Sequence, residues 1–210
     1  MNRFCYNVYS QNGEDGVINA LLAIFRIRQG WVCEFGAWDG RYLSNTFNLV
    51  ENGFSGVLIE GDFEKFQDLV KTSYNYKNVI PVHATVEASG AKCLDEILKN
   101  TSIPIDFDVL SIDIDSFDYH VWQGTNKFFP KIVVIEINSS FPPSERYVYG
   151  DGCQSGSSFR SMLELGQSKG YTFVCHTGNM IFVRNDLVSK IQNEVPSPPE
   201  SGFLWNWVAR

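Results

Sequence analysis

Val32-Cys-Glu-Phe-Gly-Ala-Trp-Asp-Gly40, with Gly56-Val-Leu-Ile-Glu60-Gly-Asp62 beginning sixteen residues after it ends, is the stretch on which the fold turns. An apolar run that breaks at glycines, then a helix start, then a second apolar run ending in an acid, is how an open parallel sheet holds a nucleoside. Gly36 and Gly40 let the backbone turn sharply and bring main-chain N–H groups close to a ligand. Glu60 ends the second strand where a carboxylate can accept both hydroxyls of a ribose.

The loop lacks the G-x-G-x-x-G that lets a pyrophosphate sit on a helix N-terminus. Bulky Trp38 and acidic Asp39 stand where a phosphate would lie. The loop therefore repels an anion and welcomes a cation. S-adenosylmethionine is the adenosine cofactor that has no phosphate and carries positive charge, and Glu34 and Asp39 are suitable partners for its ammonium and sulfonium end. A nicotinamide oxidoreductase is disfavoured by the same missing glycines. A structural strand turn, or a cofactor-binding module without turnover, is the competing reading.

Outward from this stretch, strands and helices alternate, which predicts an α/β fold with a mostly parallel sheet covered by helices on both faces. Ser10 or Asn12 can cap a first helix over about 14 to 28, with Val17, Ile18, Leu21, Leu22 and Phe25 on its buried side. Strands are expected at 31–36, 56–60, 78–83, 107–114 and 131–138. Asp62 can cap a helix that buries Phe63, Phe66, Leu69 and Val70. Further helices are expected at 44–51, 90–99 and 117–124, and from Ser157 or Ser158 to Gly170. Residues 171–176 and 179–183 pair as a hairpin across Thr177-Gly178, so the seventh and last strand runs antiparallel. The tail from 195 to 201 reads as irregular coil, with Trp205 and Trp207 to anchor its end.

The chemistry gathers at the carboxyl ends of two strands. Asp108-Val-Leu-Ser-Ile-Asp-Ile-Asp115 sets Asp113 and Asp115 on one side if the extended geometry persists, and Val133-Val-Ile-Glu-Ile-Asn138 does the same for Glu136 and Asn138. Asp118 and His120 follow at the next helix start and can overhang that edge. In one mechanism Asp115, Asp118 or His120 takes the proton of an acceptor hydroxyl, its pKa tuned by crowded acids. In the other, Asp113, Asp115 or Glu136, with Asn138, holds a magnesium ion. The metal-free route is preferred, because the spacing does not fix a ligand set and Mg²⁺ demands near-octahedral geometry. Structural roles compete throughout: backbone bonding for Asp113 and Glu136, stacking for His120, a turn or the adenine for His83, and a structural role for His176.

Ser10-Gln-Asn-Gly-Glu-Asp-Gly16, Glu34-Phe-Gly-Ala-Trp-Asp-Gly40, Ser44-Asn-Thr46, Gly56-Val-Leu-Ile-Glu60 and Asp113-Ile-Asp-Ser-Phe-Asp-Tyr119 together resemble the FkbM-type S-adenosylmethionine-dependent O-methyltransferases, over almost the whole chain. Within that family the chain is most similar to sugar methyltransferase domains of multi-domain glycan-building proteins of large DNA viruses. The resemblance implies a Rossmann-like class I methyltransferase with a seven-stranded sheet, a sugar or glycan acceptor, and fusion to or joint action with glycosyltransferase domains. It divides residues 1–210 into the first helix, a cofactor-binding half (31–100) and an acceptor-binding half (107–210) of one domain. Candidate cofactor contacts are Gln11, then Glu34, Phe35, Gly36, Ala37, Asp39 and Gly40 of the loop. Ser44 and Asn45, then Glu60, Gly61 and Asp62, then Ala84 and Thr85, and finally Asp113 complete that set. Many relatives read Asp-x-Glu-Gly where this chain has Asp113-Ile-Asp115-Ser116, so catalytic roles there do not transfer directly.

Length fits one domain that buries about 70% of its unfolded surface. A formal charge of −7 argues against nucleic acid and anionic membranes as partners. No apolar run reaches the ~20 residues of a membrane span, and the N-terminus has no signal-peptide pattern, so a soluble cytoplasmic protein is expected. Cys5, Cys33, Cys93, Cys153 and Cys175 are odd in number and widely spaced, which predicts reduced thiols, with Cys153 the exposed one. In the loop 139–156, Phe141, Tyr147 and Tyr149 offer aromatic faces to a sugar or pin the loop. Arg146 and Arg160 are candidates for an acidic group on the acceptor. Glu14 and Asp15 read as helix-capping acids, and Ser44, Asn45 and Thr46 as a helix cap or contacts to the donor carboxylate.

Overall fold

The computed structural model describes residues 1–150 and 155–204. Cys153, Trp205 and Trp207 lie outside them. Seven strands form one sheet: β1 (Trp31–Phe35), β2 (Ser55–Glu60), β3 (Val79–His83), β4 (Val109–Ile112), β5 (Ile132–Glu136), β6 (Tyr171–His176) and β7 (Asn179–Arg184). Their order is β3-β2-β1-β4-β5-β7-β6. Strands β1 to β5 pair in parallel, and β7 runs antiparallel to both β5 and β6. The order reverses between β1 and β4, which is where ligands bind in open α/β sheets.

Local signals account for most elements. The first helix, α1 (Glu14–Phe25), buries Val17, Ile18, Leu21, Leu22 and Phe25 at helical spacing. It stops short of the expected Arg28 because Arg26 turns left-handed (φ 62°) and donates its N–H back to Ala23 and Leu22. Neither Ser10 nor Asn12 is its N-cap; Gly13 is, at φ 104°. Ser10 instead accepts from the Asp15 N–H, while one Asp15 oxygen collects the N–H groups of Val8, Tyr9 and Ser10. After α2 (Phe47–Glu51) and β2 comes α3 (Phe63–Asn75), capped by Asp62, which accepts from Glu64 and Lys65. Its expected apolar side is only partly used: Leu69 is fully buried, whereas Phe63 is 63% exposed. Three shorter helices follow, α4 (Leu94–Leu98), α5 (Asp118–Gly124) and α6 (Phe159–Ser168), the last capped by Ser158. The tail adds 3-10 turns at Asn185–Lys190, Gln192–Glu194 and Pro199–Gly202. No helix among the described residues is long and apolar enough to cross a membrane, and the four described cysteines are free thiols.

Strand alternation sorts the sheet into two unlike faces. Cys33, Phe35, Val57, Ile59, Leu110, Ile112, Val133 and Ile135 belong to the core that includes residues of α4, α5 and α6. Val32, Leu58, Val109, Val134 and Ile181 pack on the other side with α1 and α2. The next same-face residues on that second side are Glu34, Glu60, Ser111, Glu136 and Asn179. The α1 face is therefore apolar at its middle and oxygen-rich along its upper edge.

Candidate active site

Two cavities meet at that edge. One, of about 530 Å³, is walled mainly by Phe35, Gly61, Ala84, Thr85, Ile114 and Phe117. The other, of about 480 Å³, is polar, with Gln11, Glu34, Trp38, Asp113, Glu136 and Asn179 among its walls. Gly36, Glu60 and Ile114 belong to both. Gly36 has to be glycine: its φ is 75°, and a Cβ would stand 2.1 Å from the Asp113 carbonyl oxygen. Glu60 is 7% exposed and anchored by the N–H groups of Trp38 and Asp62, each at 2.8 Å. A carboxylate has about four lone-pair sites, so two remain for a diol. The apolar chamber suits an adenine and the polar one a cationic chain, with Glu60 between them.

Glu34 is almost wholly buried and held by three donors: Ser44 Oγ at 2.5 Å, Thr46 Oγ1 at 2.7 Å and the Asn45 N–H at 2.9 Å. Ser44, Asn45 and Thr46 thus wrap a carboxylate, and Ser44 Oγ also accepts from the Phe47 N–H at the start of α2. Burial pushes the Glu34 carboxyl above its usual range, and the surrounding hydroxyls pull it back.

Asp113, Asp115 and Glu136 form a trio whose carboxylate oxygens lie within 4.8 Å of one another. The strand geometry does not persist to Asp115, which is left-handed at φ 60°. That turn brings its carboxylate to the other two. Loss of solvent and then the neighbouring acids push Asp113 up to about 7 and Glu136 up to about 9. Asp113 and Glu136 are therefore a coupled pair with raised proton affinity.

Other expected site residues lie elsewhere. Asp39 does not face the polar cavity; its Oδ1 closes a turn by accepting from Arg41 and Tyr42. Gly40 backs onto Leu69 and Leu58, and Asp62 is spent as the α3 cap. Asp118 is 1% exposed, with its oxygens on the Ile114 and Ser116 N–H groups, so it shapes the loop that carries Asp115 and lines neither chamber. Burial raises its pKa against those N–H groups. His120 Nε2 sits 2.7 Å from the Tyr149 carbonyl, which makes it the donor there. Asn138 turns from the trio to bond Ser155 and Ser140. His83 stacks on Phe66 and bonds the Gly61 carbonyl, a turn role. His176 stacks on Phe203 and accepts from the Leu204 N–H; burial lowers its pKa to about 4.

Phe141 and Tyr147 stack on each other, and Tyr149 packs edge-on against Phe117, so these rings pin the loop. Arg146 and Arg160 are engaged by Glu164, and Arg160 also by Glu200. Glu14, expected to be a helix-capping acid, instead crosses the fold to Thr177 Oγ1 at 2.7 Å and Asn179 Nδ2 at 3.2 Å. Sequence reasoning missed Asn179, Tyr42, Leu43, Lys65, Ile114 and Phe117 as walls. Asn179 had a usable signal: an antiparallel strand begins at the edge where its parallel neighbours end.

No family model matches the sequence, and no curated protein is significantly similar to it. Solved structures do resemble it in fold. The N-terminal domain of EvdMO1, solved in the presence of S-adenosylhomocysteine (SAH) and D-fucose, superposes with a TM-score of 0.50 at 13% identity, covering 81% of this chain and 80% of that one. The Methanococcus jannaschii fibrillarin pre-rRNA processing protein gives 0.51 at 16% identity over 74% and 66%. The CurJ carbon methyltransferase gives 0.52 at 8% identity over 83% and 55%, so this chain spans about half of its length. The chain has the Rossmann-like fold of class I methyltransferases.

Proposed function

We propose that the chain is an S-adenosylmethionine-dependent O-methyltransferase that acts on a hydroxyl, on a sugar of a glycan or glycoconjugate. The observation that carries this reading is the acidic trio at the edge shared with a chamber large enough for an adenosine. When bound, S-adenosylmethionine supplies an electrophilic methyl group on a positively charged sulfur. Glu60 accepts the ribose hydroxyls, and Phe35, Ala84 and Ile114 enclose the adenine. The carboxyl groups that line the polar chamber, ionised by the approach of a cation, give it the negative potential that the cation requires. Asp113, Asp115 and Glu136 stand to take the proton that the acceptor hydroxyl loses, and Asp113, pushed up to about 7, has the proton affinity at which a general base works best. Holding hydroxyl and methyl in line contributes on the order of 7–11 kcal/mol, more than the roughly 10² to 10⁴-fold from the base.

The sugar assignment rests on the resemblance to FkbM-type enzymes and is supported by a structural neighbour solved with D-fucose. Joint action with glycosyltransferase domains belongs to the same proposal. A nucleic-acid acceptor, which the pre-rRNA processing neighbour brings to mind, fits poorly: acids dominate the polar chamber, and the chain carries −7 overall. The trio's oxygen donors also fit a divalent cation, a second reading favoured by their 4.8 Å grouping. Calorimetry with SAH, then mass spectrometry of products from S-adenosylmethionine and a panel of methyl glycosides, tests the proposal. Binding with no methylated product from any glycoside would refute the sugar assignment. Full turnover in excess chelator would eliminate the cation.

A further inference from the structure

The polar chamber extends past the trio to β7, beyond where a cofactor would lie. Along the carboxyl edge the order is Glu60 on β2, Glu34 on β1, Asp113 after β4, Glu136 on β5 and Asn179 on β7. The adenosine chamber takes its walls from the β3, β2, β1 and β4 ends. At about 4.8 Å per strand, Asn179 stands roughly 14 Å from β1, on the far side of the trio. That end of the chamber is left for an acceptor.

Asn179 is 6% exposed yet borders the chamber directly, opposite Glu136 in the antiparallel register. Its amide has only one orientation available. Glu14 is fully buried and accepts from Thr177 Oγ1, the Asn12 N–H and Asn179 Nδ2. A carboxylate so surrounded only accepts, so Asn179 must present its NH₂ to Glu14 and its carbonyl oxygen to the chamber. That oxygen accepts from none of the described residues. An acceptor without a protein donor, on a residue that walls the chamber beside the trio, is open to a ligand hydroxyl.

We propose that the start of β7 is an acceptor subsite in which Asn179 Oδ1, oriented by Glu14, binds a second hydroxyl adjacent to the one that is methylated, so that the chain selects vicinal diols. Asn179 is the binding residue and Glu14 the positioning residue. The proposal rests on the O-methyltransferase reading and adds a substrate class to it.

The test compares methyl fucoside, methyl xyloside and methyl galactoside with their monodeoxy analogues, measuring methyl transfer from S-adenosylmethionine, alongside calorimetry with SAH. Wild type should prefer an intact glycoside over the analogue lacking the neighbouring hydroxyl by on the order of tenfold in kcat/KM, chiefly through KM. Asn179→Leu should erase that preference. Glu14→Gln, whose amide can donate and so lets Asn179 turn over, should reduce it. SAH affinity should stay within about twofold throughout, because the cofactor lies across other strands. The wild-type comparison needs no variant and so survives a variant that fails to fold. Equal turnover of intact and deoxy glycosides by wild type overturns the subsite and leaves the methyltransferase reading standing. So does a loss of SAH affinity that parallels the loss of turnover in Asn179→Leu. Failure of wild type to methylate any glycoside overturns the sugar reading, and the subsite with it.

Discussion

S-adenosylmethionine and SAH differ by one methyl group and one positive charge, and the Asp113–Glu136 pair should register that charge as released protons. Burial and their mutual repulsion push Asp113 up to about 7 and Glu136 up to about 9. At about pH 7.5 the pair then carries roughly 1.2 protons. A sulfonium about 5 Å away in an effective dielectric of about 20 favours the ionised carboxylates by about 3.3 kcal/mol, or about 2.4 pH units. Both groups then fall below the working pH, and about one proton leaves. SAH brings no sulfonium and should release about one proton fewer. Calorimetric titrations in phosphate and in Tris, whose ionisation enthalpies differ, yield the proton number from the slope of observed enthalpy. The sign is fixed by linkage: a carboxyl whose pKa falls on binding makes donor affinity rise with pH from the bound value to the free one, then level off above about 9. A difference between the two ligands below about 0.3 protons would refute the trio's placement beside the sulfur.

If Glu60 holds the ribose as proposed, Glu60→Ala removes two charge-assisted bonds, each worth roughly 1.5–3 kcal/mol, and should weaken SAH by at least about 10²-fold; a calorimetric change under about threefold would remove Glu60 from the cofactor site. Gly36→Ala forces a Cβ against the Asp113 carbonyl at positive φ and should cost about 2 kcal/mol or more, read as a Tm drop of at least about 4 °C; an unchanged Tm would contradict the close approach. Asp115→Asn should lower turnover by about 10² to 10⁴-fold at unchanged SAH affinity. Asp118→Asn, by contrast, should lower the Tm through the 114–116 loop, and equal kinetic and thermal profiles for the two variants would erase that division of roles.

Elements that depend on nearby residues were readable in one dimension. The strand ending at Glu60, the Asp62 cap and the hairpin across Thr177-Gly178 are set by alternation, capping chemistry and turn residues within a few positions. The carboxyl edge was readable too, since the acids close apolar runs. Pairings that join distant parts of the chain were not. Nothing near Glu14 announces Thr177 and Asn179, more than 160 residues away. Arg146 and Arg160 resemble free anion ligands until Glu164 is folded against both. Asp39 has the right charge in the right loop, but its own following N–H groups claim it first.

The alternation of the sheet has a consequence for folding itself. Glu34, Glu60 and Glu136 occur where sliding a strand by one position would drive a carboxylate into the all-apolar side against α5 and α6. The acids that shape the chamber therefore also veto wrong alignments of the central strands. Replacing them with leucines would raise apolar content while weakening the penalty on slipped pairings, so such a protein would gain hydrophobicity and lose uniqueness of its native state.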